Sequence, residues 1–259
     1  MNLKQRLYKL NLLRSNIKKN KVSVGTWVQI SNSNSVEIIA NNGFDWIVVD
    51  IEHSIFNAEK LIDILRSIEV NNSVPLIRSF SPDYTNLKLY LEIGFSGFII
   101  PSIENSTQLK DIYNQISFMP NGKRGVGFNR SNNYGEHFGE YHRGTTKPIL
   151  IAQIETKKGI DNIDEIINFK YLDGIFIGPY DLSSTLKVPG QFKNKTYLNA
   201  ISKIINKCKK KKIACGIHVI EPDKKEVENY IKQGFSIIGY SLDSYILRKY
   251  LVNPFYDKK

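Results

Sequence analysis

Cysteine is nearly absent. Cys208 and Cys215 are the two in 259 residues, and they are not spaced as a metal-binding pair. That excludes a disulfide framework and a cysteine zinc site, and it points to a reducing compartment. No run of about 18 apolar residues occurs, which argues against a transmembrane helix. The opening stretch MNLKQRLYKLNLLRSNIKKNK has no signal-peptide core, so the chain is expected in the cytoplasm. G-x-S-x-G elbows, Walker loops and a G-x-G-x-x-G opening a helix are also missing, and Gly125-Val-Gly127 is too short a glycine signal to replace them. No candidate strand carries a lysine before its final residue, which removes Schiff-base chemistry inside a barrel. Metal-assisted carbon-acid chemistry survives this pruning better than nucleotide or acyl-transfer chemistry.

What the chain has in excess is positive charge, a formal +11. A basic surface suits nucleic acid or acidic lipid, but these lysines are scattered. The densest cluster, at 207–212, ends a helical stretch where positive charge complements the helix dipole. The expectation is no nucleic acid and no membrane, with a field that attracts anionic small molecules.

With 41% hydrophobic and 24% charged residues, the chain has the composition of a globular protein with a sizeable core. Strand patterns fall at 24–29, 46–50, 75–78, 97–101, 149–154, 174–177, 214–219 and 236–239. Helical periodicity lies between them at 35–41, 58–69, 84–93, 106–117, 160–167, 198–210 and 224–232. Eight alternating units imply a closed parallel (β/α)8 TIM barrel, read as one domain over 1–259. Residues 1–22 form an amphipathic helix at its base. The polar, glycine-rich stretch 120–147 breaks the alternation. A loop of this length is usually a functional lid or an interface element, or else disordered, and it is placed on the carboxyl-end side, near the active site.

Chemistry in such barrels sits at the carboxyl ends of the strands. The fifth apolar run ends in Gln153-Ile-Glu155 and the sixth leads into Gly-Pro-Tyr-Asp181. Two carboxylates on one rim repel unless neutralised, and a divalent cation is the simplest neutraliser; Asp181 as a plain helix cap is the alternative. The second strand runs into Asp50-Ile-Glu-His53 and the third ends in Arg78. Arg78 suits a carboxylate or an enolate oxygen, or else an ion pair with Asp50 or Glu52. His53, as an imidazole, suits proton transfer. Gln153 would orient the same ligand, and His137, His142 and His218 are weaker candidates.

The motifs W-I-V-V-D-I-E-H, P-L-I-R, G-F-I-I-P, P-N-G-K-R-G-V-G, Q-I-E-T and D-G-I-F-I-G-P-Y-D-L-S follow one another in this order. Together, over about residues 25–243, they resemble the HpcH/HpaI aldolase/citrate lyase family of the phosphoenolpyruvate/pyruvate superfamily. The resemblance implies a class II aldolase that cleaves a 4-hydroxy-2-oxo acid, such as a 2-keto-3-deoxy sugar acid, reversibly to pyruvate and an aldehyde. Citrate-synthase-like or CoA-ester lyase chemistry is the alternative. It implies Glu155 and Asp181 as ligands of magnesium, manganese or cobalt, Arg78 beside the enolate oxygen, Gln153 beside the substrate, and His53 as acid/base. The backbone from Gly178 through Pro179 and Tyr180 to Asp181 would hold the pyruvate carboxylate, with the Tyr180 ring at the pocket edge. Relatives pair the histidine with an aspartate of a neighbouring subunit; the matching residue here is Glu92. The resemblance further implies a homo-oligomer, a hexamer built as a trimer of dimers, that exchanges a carboxyl-terminal helix at 244–252.

Overall fold

The computed structural model describes residues 1–79, 83–136, 138–141 and 147–255. Its elements run α1 (Leu3–Lys18), β1 (Ser23–Val28), α2 (Ser33–Ala40), β2 (Trp46–Asp50), α3 (Ala58–Val70), β3 (Val74–Arg78), α4 (Tyr84–Ile93), β4 (Gly97–Ile100) and α5 (Ser106–Ile116). A 3-10 helix (Arg130–Gly135) and a single turn α6 (Phe138–Glu140) precede β5 (Ile149–Ile154), α7 (Lys157–Asp161), α8 (Ile163–Ile167) and β6 (Gly174–Ile177). The chain continues through α9 (Pro179–Thr185), α10 (Lys195–Lys211), β7 (Ala214–Val219), α11 (Lys224–Gln233), β8 (Ile237–Leu242) and α12 (Asp243–Tyr250). Neighbouring strands pair in parallel and β8 closes on β1, so the alternation read from the sequence is a (β/α)8 barrel. Among the described residues, no helix is long and apolar enough to cross a membrane.

A strand shows opposite faces with a period of two, and here that period sorts the core. Trp27, Trp46, Val48, Leu76, Ile99, Ile151 and Phe176 fill the barrel interior, while Ile47, Val49, Ile77, Leu150, Ile175 and Ile217 face the helices. Leu10, Leu13 and Ile17 of α1 join the interior cluster, so this helix plugs the barrel base. The interior rings are large because glycines opposite them leave room. A Cβ on Gly25 would stand 2.1 Å from the Trp46 ring, and one on Gly239 would stand 2.5 Å from Trp27. Carried one step further, the inward register delivers Gln29, Asp50, Arg78, Gln153 and His218 to the carboxyl-end mouth.

Three local expectations change. The helix expected at 160–167 is broken at Asn162, whose amide donates to the Glu104 carbonyl at 2.8 Å. The short helix α9 was not foreseen, because seven residues are too few for periodicity to register. Strand β8 runs on to Leu242, past a register shift opposite Gly25 and Trp27.

The fourth change concerns the stretch 120–147, expected beside the active site. Its described residues lie at the opposite end of the barrel, because α5 returns the chain to the amino ends of the strands before the stretch begins. Arg130 donates to Glu69 Oε2 at 2.6 Å and to the Ile93 carbonyl at 3.3 Å, both at carboxyl ends of helices; Arg6 donates to the Arg130 carbonyl at 3.0 Å. Glu69 is 1% exposed and also faces Arg6 Nε at 3.7 Å. Removing one member of a buried charge cluster strands the others without a counter-charge. Glu69→Ala is therefore expected to lower stability by about 3 kcal/mol or more, read as an earlier urea midpoint with an unchanged m-value.

Candidate active site at the carboxyl ends of the strands

Arg78 at the end of β3 is gripped by Asp50 at the end of β2. Its Nε donates to Asp50 Oδ1 at 2.9 Å and its Nη2 to Oδ2 at 2.8 Å. The Gln29 amide donates to the same Oδ2 at 2.8 Å, and Ser244 Oγ in turn donates to Gln29 Oε1 at 2.7 Å. Asp50 is fully buried. Burial alone would raise its carboxyl, but the hydrogen bonds and charge of Arg78 hold it below its ordinary value. Arg78 is likewise penalised by burial, yet Asp50 and Glu52 carry its pKa above the ordinary one. Of the guanidinium's five N–H donors, Asp50 engages one from Nε and one from Nη2, so among the described residues the Nη1 side remains for a ligand. The ion pair and the ligand role weighed for Arg78 are thus compatible.

Glu52 Oε2 lies 3.2 Å from Arg78 Nε and 3.7 Å from His53 Nε2. The Nε proton already points to Asp50, and Glu52 Oε2 is buried without a hydrogen bond. Burial and the charge of Glu155 raise its carboxyl despite Arg78. The His53 side chain is 56% exposed at the mouth.

Glu155 follows β5 and is 5% exposed. Its Oε1 accepts from the backbone N–H and the hydroxyl of Ser102, both at 2.7 Å, and its Oε2 accepts from the Gln153 amide. Ser102 adopts φ +53°, an uncommon backbone for a non-glycine residue, and this aims both donors at the carboxylate. Strands β5 and β6 pair as far as Ile154 and Ile177, so Gly178 comes alongside Glu155. A Cβ on Gly178 would lie 2.6 Å from Glu155 Oε2 and 3.1 Å from Gln153 Nε2. Glycine is required there because the backbone passes directly over the two side chains.

Asp181 occupies the first turn of α9; the cap position itself is Gly178. The carboxylate is exposed and has no hydrogen-bond partner among the described residues. This donor set fits a hard divalent ion. Glu155 directly follows β5 and Asp181 lies in the helix that follows β6, and carboxylate oxygen is the donor a hard divalent ion prefers; among the described residues no group of three or more His, Cys, Asp or Glu comes together to complete such a set.

A cavity of about 200 Å³ opens at these strand ends, and Glu155 and Glu52 are not among its lining residues. Arg78, Gln153, Gly178, Pro179, Tyr180, Asp181 and His53 line it, together with Trp27, Phe176 and His218. Tyr180, 55% exposed, meets Phe192 edge-on at 5.1 Å and forms an aromatic lip. Glu92 is not part of this assembly. It sits one residue from the end of α4, at the amino-terminal side of the barrel, 3.7 Å from Lys88 Nζ. His137 and His142 lie outside the described residues. Gln29 and Ser102 are site members that reading strand ends for chemistry passed over, whereas Glu52, weighed there as an ion-pair partner of Arg78, does lie beside it. Two-residue periodicity along β1 would have found Gln29, whereas the contact of Ser102 with Glu155 spans two strands and leaves no local signal.

His218 is held neutral. Burial pulls its pKa down to about 4, and Arg78 adds to this against the opposing Ser241 carbonyl and Asp50. An unfolded histidine titrates near 6.5. Between pH 6.5 and about 4 the unfolded chain therefore binds a proton that the native chain refuses, and stability falls with pH by up to about 3 kcal/mol. His218→Leu is expected to flatten that part of the profile, measured by denaturant melts at pH 7, 5.5 and 4.5.

The sequence profile of the HpcH/HpaI aldolase/citrate lyase family matches residues 23–249. The chain belongs to this family. A 5-keto-4-deoxy-D-glucarate aldolase from Escherichia coli O6:H1 (strain CFT073) is 29% identical over 242 residues, covering 92% of this chain and 93% of the relative. An HpcH/HpaI family protein of Burkholderia cenocepacia J2315 superposes with a TM-score of 0.86 at 24% identity, over 92% and 95% of the two chains. An HpcH/HpaI aldolase from Desulfitobacterium hafniense DCB-2 gives 0.84 at 22%, over 95% and 99%. As an HpcH/HpaI family member the chain is a carbon–carbon lyase.

Proposed function

We propose that the protein is a divalent-metal-dependent aldolase that cleaves a 4-hydroxy-2-oxo acid of the sugar-acid type reversibly to pyruvate and an aldehyde. The observation that carries the reading is that Arg78, Gln153, Asp181 and His53 line one cavity, with Arg78 fixed by Asp50 and Glu155 held against Gln153 and Ser102 by hydrogen bonds. The glucarate-derived substrate in the name of the Escherichia coli relative agrees with it.

Glu155 and Asp181 would hold magnesium, manganese or cobalt, which when bound supplies a Lewis acid for the 2-oxo acid. Gln153 and the backbone of Gly178 to Asp181 orient the carboxylate end. His53 takes the proton of the C4 hydroxyl as the C3–C4 bond breaks and the aldehyde leaves. The electron pair of that bond moves onto the C2 oxygen as an enolate, where the free edge of Arg78 stabilises the charge. A proton then returns to C3 and releases pyruvate. Asp50 and Gln29 keep Arg78 from turning away.

The proposal extends to an oligomer. The far-end position of Glu92 on α4 requires a second subunit for it to reach a His53, and Leu247, Tyr250 and Leu251 expose apolar surface at the carboxyl end.

Deuterium exchange at C3 of pyruvate, followed by NMR with and without chelator, tests the enolate step. A panel of aldehydes with pyruvate, set against oxaloacetate with acetyl-CoA, separates aldolase from citrate-synthase-like chemistry. Metal-dependent exchange and consumption of an aldehyde are expected. Exchange that persists undiminished in chelator, or turnover confined to the acetyl-CoA pair, overturns the proposal.

A further inference from the structure

His218 has no place in the reaction just described, although it stands in the inward register of β7 and lines the same cavity. Its ring stacks on Trp27, with centroids 4.4 Å apart and planes 23° from parallel. Its Nε2 lies 2.9 Å from the Ser241 carbonyl oxygen. A carbonyl only accepts, so Nε2 carries the hydrogen. The ring is neutral at physiological pH, with a pKa near 4, and Nδ1 is therefore a lone-pair acceptor. No described side chain donates to it.

The neighbours on this wall are Trp27, Phe176, Ile220 and Leu242. A leucine would complete such a wall without importing a polar atom. Nδ1 is not among the fully buried unpartnered atoms of the described residues, so it is open to the cavity, and a ligand that displaces water there without donating to it forfeits a hydrogen bond. The stack on Trp27 and the bond to Ser241 fix the ring, so a donor would meet it without further ordering.

We propose that His218 is a specificity-determining residue, accepting through Nδ1 a hydrogen bond from a substrate hydroxyl on the arc of β7, β8 and β1, across the mouth from Arg78 and Gln153. The ligand class is a hydroxylated chain in preference to its alkyl counterpart. The hydroxyl belongs either to the aldehyde half or to C3 of the 2-oxo acid half, and the same acceptor serves both. This inference rests on the aldolase reading for its substrate halves.

Two pairs of reactants separate the sources: glycolaldehyde against acetaldehyde, each with pyruvate, and hydroxypyruvate against pyruvate, each with acetaldehyde. The readout is the kcat/KM ratio within each pair, whatever a substitution does to both rates. In the wild-type protein at least one ratio is expected to favour the hydroxylated member by about tenfold, the worth of one well-placed hydrogen bond. His218→Leu should bring that ratio to about one, and His218→Asn, which keeps an acceptor, should restore part of it. His218→Phe retains the stack without the acceptor and replaces the leucine variant should that one not fold. Ratios equal in wild-type and acceptor-free variants overturn the proposal. Trp27 provides a second measurement through fluorescence titration with the metal-loaded protein, comparing hydroxypyruvate with pyruvate and glycolaldehyde with acetaldehyde. Should no pair turn over, the aldolase reading fails while the binding ratios still decide the role of His218.

Discussion

Arg78→Ala is expected to lower kcat for cleavage by about a thousandfold, the upper range for loss of one donor to a developing oxyanion. It is also expected to destabilise the fold by about 3–5 kcal/mol, because Asp50 would remain fully buried with the Gln29 amide as its one remaining side-chain donor. The two effects separate by design. In Arg78→Met/Asp50→Leu the buried charge disappears with its partner, so stability should return while activity stays lost.

The pH profile adds a sign. In the wild-type protein the folded Asp50 has a lowered pKa, so its pairing contributes stability above the unfolded value near 3.9 and loses it as pH falls through the folded one. Without Arg78, burial raises the carboxyl above that value, so the Arg78→Ala variant should lose less stability than the wild-type protein as the pH is lowered, the loss from His218 being common to both. Denaturant melts of both proteins between pH 7 and 4 measure this. A variant that keeps both kcat and the wild-type profile would mean that the guanidinium is a rim ornament.

The barrel was legible because its signal is repeated. Each apolar run such as 46–50 or 149–154 is too short to be decisive alone, but eight of them separated by helix-length segments leave few architectures. The polar side chains of the mouth were legible for a related reason: Asp50, Arg78, Gln153 and Glu155 stand at the ends of apolar runs, where a packed barrel has no use for a polar group. What the sequence hid was anything set by the direction of a connection or by contacts between distant strands. The stretch 120–147 looked like a lid on grounds of length and glycine content. Length carries no information about which end of the barrel a segment occupies; that follows from its position after α5 and before β5. The clamp of Ser102 on Glu155 depends on one residue with φ +53°, and no periodicity announces it. Glu92 lay beyond reach for a different reason, since its expected partner belongs to another copy of the chain.

Glu155→Gln should abolish metal-dependent turnover and leave the fold nearly intact. The carboxylate accepts from Ser102 N, Ser102 Oγ and the Gln153 amide. A glutamine carbonyl can keep the two Ser102 donors, but its new NH2 group would oppose the Gln153 NH2 unless Gln153 turns its amide over, which satisfies both at small energetic cost. Stability is therefore expected to change by about 1 kcal/mol or less. Chemistry should change far more, because the substitution removes one of the two anionic groups proposed to bind the cation. Loss of several kcal/mol of charge stabilisation corresponds to a decrease in kcat/KM of about 10³ or more. The same variant should fail to exchange C3 of pyruvate, and calorimetric titration with manganese should show weakened binding. Glu155→Asp keeps the charge and shortens the arm, so it should retain weak binding and a measurable rate. If Glu155→Gln exchanges pyruvate at the wild-type rate and binds manganese unchanged, the carboxylate held by Ser102 is a structural anchor, and the cation site has to be sought elsewhere on the rim.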